Sequence, residues 1–161
     1  MKAGVRVLHL DGLHLDVAIE AASIARRIGV ATVLDAGTFR DGVEGLLPLI
    51  DHLVVSETFV SQSTDDKNPD VALQDLASYG AQAVTMTCGS KGSYSYQQGE
   101  RIFHQPAFDV DAVDTTGCGD VFHGGYIYGL LQAWSLPQRV RFAAACAALK
   151  TRALGGRSAI P

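Results

Sequence analysis

Residues 114–120, Asp114-Thr115-Thr116-Gly117-Cys118-Gly119-Asp120, place two glycines and two carboxylates at the opening of a long apolar segment. Glycine lets the backbone turn tightly and lets an anion approach its N–H groups without interference from a Cβ. A helix start adds N–H donors that have no intrahelical partner, together with a partial positive charge. The combination is a pocket for an anion, and phosphate suits it. An aspartate beside such a pocket repels the ligand unless it has a chemical task, and accepting the proton of a hydroxyl that attacks phosphorus is one. Phosphoryl transfer asks for positioning and charge neutralisation more than for a strong base, so an ordinary carboxylate suffices. A plainer account uses the same residues: Asp in the first turn caps many helices. Spacing alone leaves both accounts open.

A second stretch, Thr87-Cys88-Gly89-Ser90-Lys91-Gly92, reads as a strand end followed by a glycine-bearing loop. Backbone can approach a nucleotide there, and a β-turn into a hairpin explains the residues equally well. The glycine spacings of a P-loop or of a dinucleotide fingerprint are absent. Asp11, Asp16, Asp35 and Arg40 fall at strand ends, where caps and surface charges account for them nearly as well as a ligand does. His123 falls on a helix close to the glycine turn and reads as a packing residue. Cys88, Cys118 and Cys146 show no pair spacing, so neither a zinc site nor a disulfide framework is suggested.

Apolar runs of strand length alternate with segments of helical period, and these elements must position the chemistry. Strands are expected over residues 5–10, 31–34, 52–55 and 83–87. Residues 16–28 carry Val17, Ile19, Ala21, Ile24, Ala25 and Ile28 at helical spacing and stop at Gly29. A short helix is expected over 42–49 and a polar loop over 61–68. Pro69 fits the first position of a helix that runs to Tyr79 and stops at Gly80. Residues 93–97 and 101–104 form a hairpin around Gln98-Gly99, and long helices follow over 119–134 and 137–154. Strand–helix alternation of this kind predicts a mostly parallel sheet covered on both faces, with ligands at the carboxyl ends of its strands. No repeat, low-complexity tract or linker interrupts it, so residues 1–161 are expected to form one domain.

The motif at 114–120 closely resembles the second signature of the PfkB (ribokinase-like) carbohydrate kinases, D-T-x-G-A-G-D, and the resemblance extends over essentially the whole chain. It implies a three-layer α/β/α fold and transfer of the γ-phosphate of ATP to a sugar hydroxyl. By the same resemblance Asp120 is the base, and Gly117, Cys118 and Gly119 are the anion hole. Thr87, Gly89 and Gly92 match a T-x-G-x-x-G turn that lies along the ATP phosphates and ribose. Asp114 matches an aspartate that binds an activating monovalent cation such as K⁺, completed by the carbonyl of Thr116 and carbonyls near residues 155–158. Mg²⁺ would bridge the phosphates. Three pieces, His104-Gln105-Pro106-Ala107-Phe108, Asp120-Val121-Phe122-His123-Gly124 and Gly155-Gly156-Arg157, are most similar to the 6-deoxy-6-sulfofructose kinase branch.

The chain departs from the family pattern in four places. Many members carry Asn-x-x-Glu after the strand ending at Val55, a motif that helps hold magnesium. Here those positions are Ser56 and Phe59, with Glu57 out of register. Cys118 replaces the usual Ala, either as a small residue tolerated for its size or as a thiol of enhanced reactivity. Asp35 and Arg40 resemble a D-x-N-x-R pattern with the spacing off by one. The strands that build the acceptor pocket and a small β lid do not precede Val5, so the chain reads as a truncated kinase domain with an unpaired sheet edge that favours self-association.

Of 161 residues 47% are apolar and 19% charged, an ordinary globular composition. A net charge of −4 offers no basic stripe for nucleic acid. No apolar run reaches the roughly 20 residues of a membrane-spanning helix, and no signal peptide is recognisable. A cytoplasmic protein binding ATP or ADP and a sugar is the expectation. Two rivals stand beside it: a nucleotide-binding module without catalysis, and an NAD-type oxidoreductase, which the lack of G-x-G-x-x-G after the first strand disfavours.

Overall fold

The structure is a computed structural model that describes residues 4–64 and 68–161. These form two compact units, Met1–Cys88 with Tyr94–Phe103, and Gly89–Ser93 with His104–Pro161. A six-stranded sheet runs in sequence order: β1 (Val7–Leu10), β2 (Ala31–Ala36), β3 (His52–Ser56), β4 (Ala83–Thr87), β5 (Ser93–Gln97) and β6 (Phe103–Gln105). The first four strands are parallel, with Leu34 opposite Leu53 and Val55 opposite Met86. Residues 88–92 and 98–102 are too few for a crossover to a parallel neighbour, so β5 and β6 continue the sheet antiparallel. Central strands of a parallel sheet are buried on both faces and read as unbroken apolar runs. Leu34, Leu53, Val55, Val84 and Met86 belong to one core cluster, and the intervening Val33, Val54 and Thr85 are as deeply buried.

In the first unit, α1 (Leu15–Arg27) turns Ala18, Ala22 and Ala25 inward and leaves Val17, Ile24 and Ile28 exposed. The helix closes on the core through these alanines, with Leu15 and Ile19 packed beside them. Gly29, at φ 68°, ends it as expected. Residues 42–49 form two 3₁₀ turns, Val43–Gly45 and Leu47–Leu49, instead of one helix. Pro48 lacks the N–H that a continuous α-helix would use there. The expected loop over 61–68 is also corrected. Helix α2 (Glu57–Ser63) extends into it, started by Ser56, whose Oγ accepts the Phe59 N–H at 3.0 Å. Residues 65–67 of that expected loop lie outside the described residues. Helix α3 (Pro69–Ser78) follows, with the Asn68 side chain accepting from the Asp70 N–H.

The second unit is built on an antiparallel pair, α4 (Cys118–Leu131) and α5 (Leu136–Lys150). Both stop three or four residues before the sequence suggested; α4 does so because Ala133 takes a φ of 56° and the chain turns at once. A reciprocal cap then starts α5, with Gln138 Oε1 accepting from the Ser135 N–H at 3.0 Å. The seam between the helices is narrow. A Cβ on Gly125 would lie 2.9 Å from Cα of Ala143. Tyr126, Leu136, Val140 and Ala143 fill the seam, and Arg139 lies 5.2 Å from the centroid of the Tyr126 ring.

Candidate active site

The segment leading into α4 is held by its own main chain before any ligand is considered. The N–H groups of Val113 and Asp114 both donate to the Thr151 carbonyl, at 2.7 and 3.0 Å. Asp114 Oδ1 accepts the Thr116 N–H at 2.9 Å, and Oδ2 accepts the Gly155 N–H at 2.7 Å. One carboxylate thus ties the 114–116 turn to the loop after α5. The hydrogen bonds from Thr116, then that from Gly155, hold its pKa down at about 2 against a small opposing effect of burial, and the positive charge of Lys150 adds to them. Lys150 itself is fully buried, and its Nζ donates to the main-chain carbonyl of Asp114 at 3.0 Å.

Gly117 sits immediately before α4 in the left-handed region, at φ 75° and ψ 6°. The Cys118 N–H turns back to the Thr115 carbonyl at 3.1 Å, and the first intrahelical bond runs from the Val121 N–H to the Gly117 carbonyl at 3.0 Å. Between them, the N–H groups of Gly119 and Asp120 occupy the second and third positions of the helix, ahead of any possible intrahelical acceptor. The peptide donors that can meet an anion are therefore those of Gly119 and Asp120, while the Cys118 N–H closes the turn. Nothing lies within 4 Å of a Cβ built on Gly119, so that approach is open. The Asp120 side chain is exposed in the first turn of α4, one helical turn before His123. His123 is buried and its Nδ1 lies 2.8 Å from the Gly119 carbonyl, which shares a peptide group with the Asp120 N–H. Sequence reasoning gave His123 no part in this arrangement.

The other sequence-predicted positions have separate fates. Thr87 ends β4 and its hydroxyl donates to the Val55 carbonyl at 3.2 Å, which fastens β4 to β3. Gly89 and Gly92 both take positive φ, 56° and 93°. Gly89 has open space where a side chain would be, but a Cβ on Gly92 would collide with the Gln105 carbonyl at 2.1 Å. Close backbone approach therefore requires a glycine at 92 whether or not a nucleotide lies there. Asp11, Asp35 and Arg40 do come together, lining a small cavity at the carboxyl ends of β1 and β2, while Asp16 lies in the first turn of α1.

The residues in register with a magnesium-holding motif are committed elsewhere. Besides capping α2, Ser56 donates its hydroxyl to the Gly37 carbonyl at 2.6 Å. Phe59 is fully buried, 5.4 Å centroid to centroid from Phe39. Neither position offers magnesium a ligand. Two residues missed in the sequence, Lys150 and Thr151, prove central to the 113–116 segment. A lysine closing an apolar helix reads as an ordinary C-terminal charge, and nothing local marks it as buried.

The mostly parallel sheet with its helices is a ribokinase-like fold. The structure superposes on ribokinase from Thermotoga maritima with a TM-score of 0.86 at 27% identity, over 96% of this chain and 53% of that one. Arabidopsis thaliana ribokinase, solved with ribose and ATP, gives 0.87 at 28%, over 96% and 52%. The chain belongs to the pfkB family of carbohydrate kinases, which it matches over residues 2–161. Among curated relatives, Haemophilus influenzae ribokinase is 34% identical over 147 residues, 88% of this chain and 47% of that protein. The Arabidopsis ribokinase sequence is 32% identical over 152 residues, 89% and 40% respectively. The chain thus spans about half the length of the relatives it matches. No helix among the described residues is long and apolar enough to cross a membrane.

Proposed function

We propose that this chain is the phosphate-handling part of an ATP-dependent kinase for a sugar hydroxyl. The single observation behind the reading is the head of α4, where the left-handed Gly117 leads into the free N–H groups of Gly119 and Asp120 with the Asp120 carboxylate exposed beside them. Those N–H groups stabilise negative charge on the transferring phosphoryl oxygens, and because the turn is already formed they need no reorganisation during the reaction. Asp120 takes the proton of the acceptor hydroxyl as its oxygen attacks phosphorus, and ADP leaves. His123, through the Gly119 carbonyl, holds the 119–120 peptide in the orientation this requires. Gly89 and Gly92 supply backbone close to the nucleotide. The ribose-and-ATP complex of the Arabidopsis relative supports ATP as donor and a sugar as acceptor. Magnesium would arrive on the triphosphate, since Ser56 and Phe59 do not supply its ligands.

The test is a coupled ADP-release assay on the protein from the full reading frame, run against a panel of sugars. Asp120→Asn should lower turnover by about 10²–10⁴-fold, the usual worth of a general base, and leave ATP binding near the parent value. Near-parental turnover in that variant would remove Asp120 from the mechanism. A second reading follows from the chain's span of about half its relatives: the chain alone binds nucleotide and transfers nothing. ATP that raises the melting temperature of the chain without any ADP release, for every sugar tried, would favour it.

A further inference from the structure

The family resemblance leads one to expect a dissociable monovalent cation at Asp114 and Thr116. Such a site needs several oxygen lone pairs converging on one point, with no positive charge already there. The 113–116 segment does not meet that description. Both carboxylate oxygens of Asp114 hold peptide N–H groups, from Thr116 and Gly155. Its main-chain oxygen holds the ammonium of Lys150.

We infer that Lys150 is the resident cation of this loop, and that its ammonium takes the place of a dissociable K⁺. Lysine is almost never fully buried unless something compensates its charge, yet Lys150 has no exposed surface. Three features compensate it. The carbonyl of Asp114 accepts one of its protons at 3.0 Å, and the Asp114 carboxylate supplies the opposite charge. As the last residue of α5 it also lies at the negative end of that helix. The same ammonium draws together the three pieces that shape the turn: the end of α5, the 113–116 segment and, through Asp114 and Gly155, the loop that follows. A second monovalent cation placed at Asp114 would meet this charge, already held against the main chain of the same residue. The inference concerns how the loop is held and needs no catalysis; only its consequence, a kinase indifferent to potassium, rests on the function proposed above.

The experiment uses the chain without nucleotide, so that a failure of the kinase reading cannot imitate a failure here. Melting curves are recorded at equal ionic strength in potassium, sodium and tetramethylammonium chlorides, with ²⁰⁵Tl⁺ NMR as a direct probe of a potassium site. The expected result is one melting temperature in all three salts and no thallium resonance that potassium displaces. Lys150→Met should melt lower in tetramethylammonium and regain part of the loss in potassium, while Lys150→Arg should stay indifferent to the salt. A saturable, potassium-specific rise in the parent chain, or a displaceable thallium signal, overturns the proposal even if Lys150→Met fails to fold. So does a Lys150→Met protein that melts like the parent in every salt.

Discussion

The carbonyl oxygen of Gly156 lies 3.0 Å from the place a Cβ on Gly117 would take, and Gly156 Cα lies 3.2 Å from it. The loop after α5 therefore crosses directly over the turn that opens α4, with main chain against main chain.

Gly117→Ala meets both that contact and a φ of 75°. The left-handed region costs an L-residue roughly 1–2 kcal/mol, and backbone cannot yield as a flexible side chain would. The variant should lose about that much stability in urea denaturation and should bind ATP more weakly, because relief of strain rotates the Gly119 and Asp120 N–H groups. Parental stability with parental ATP affinity would show that the turn tolerates a side chain.

Asp114 predicts a specific acid dependence. Its folded pKa, about 2, lies below the 3.8 of an ordinary aspartate. The ionised carboxylate thus favours the folded state fully above the unfolded pKa, and this contribution fades as pH falls from about 3.8 toward 2. Asp114→Asn should be less stable than the parent by a constant margin at neutral pH. That margin should shrink across the same acid window, as read from urea midpoints at several pH values. A margin that widens on acidification would give the shift the wrong sign.

Cys118 stands half-buried at the first position of α4, next to the peptide donors proposed to hold phosphate. Iodoacetamide should alkylate it more slowly when ATP is bound, and mass spectrometry of the peptide carrying Cys118 measures the ratio. Equal rates with and without ATP would place the nucleotide elsewhere.

Much of the fold was legible because burial writes itself into composition. The strands at 31–36, 52–56 and 83–87 are mostly apolar and buried, and Gly29, Pro69 and Gly80 punctuate the helices where they were expected to. What escaped was decided by tertiary contact. Helix α2 is a short stretch of polar and apolar residues, whose start is set by the Ser56 hydroxyl and whose buried anchors are Phe59 and Val60. The fully buried positions of α1 are alanines, Ala18, Ala22 and Ala25, and of these only Ala25 belongs to the apolar set read from the sequence. At the candidate site the motif from Asp114 to Asp120 was visible, but its support was not. The bond to Asp114 comes from Gly155, 41 residues away, and that of Lys150 spans 36. No local period encodes a partner so distant in the chain.

The near-contact of Gly125 with Ala143 sits less than two turns from Asp120 along the same helix. A seam that admits no side chain also admits no sliding, because interdigitated helices shift in whole steps and not by degrees. The end of α4 that carries Asp120 is consequently a fixed jaw: on the function proposed above, a ligand comes to it in the right pose, and selectivity there is a matter of fit to a shape that exists beforehand.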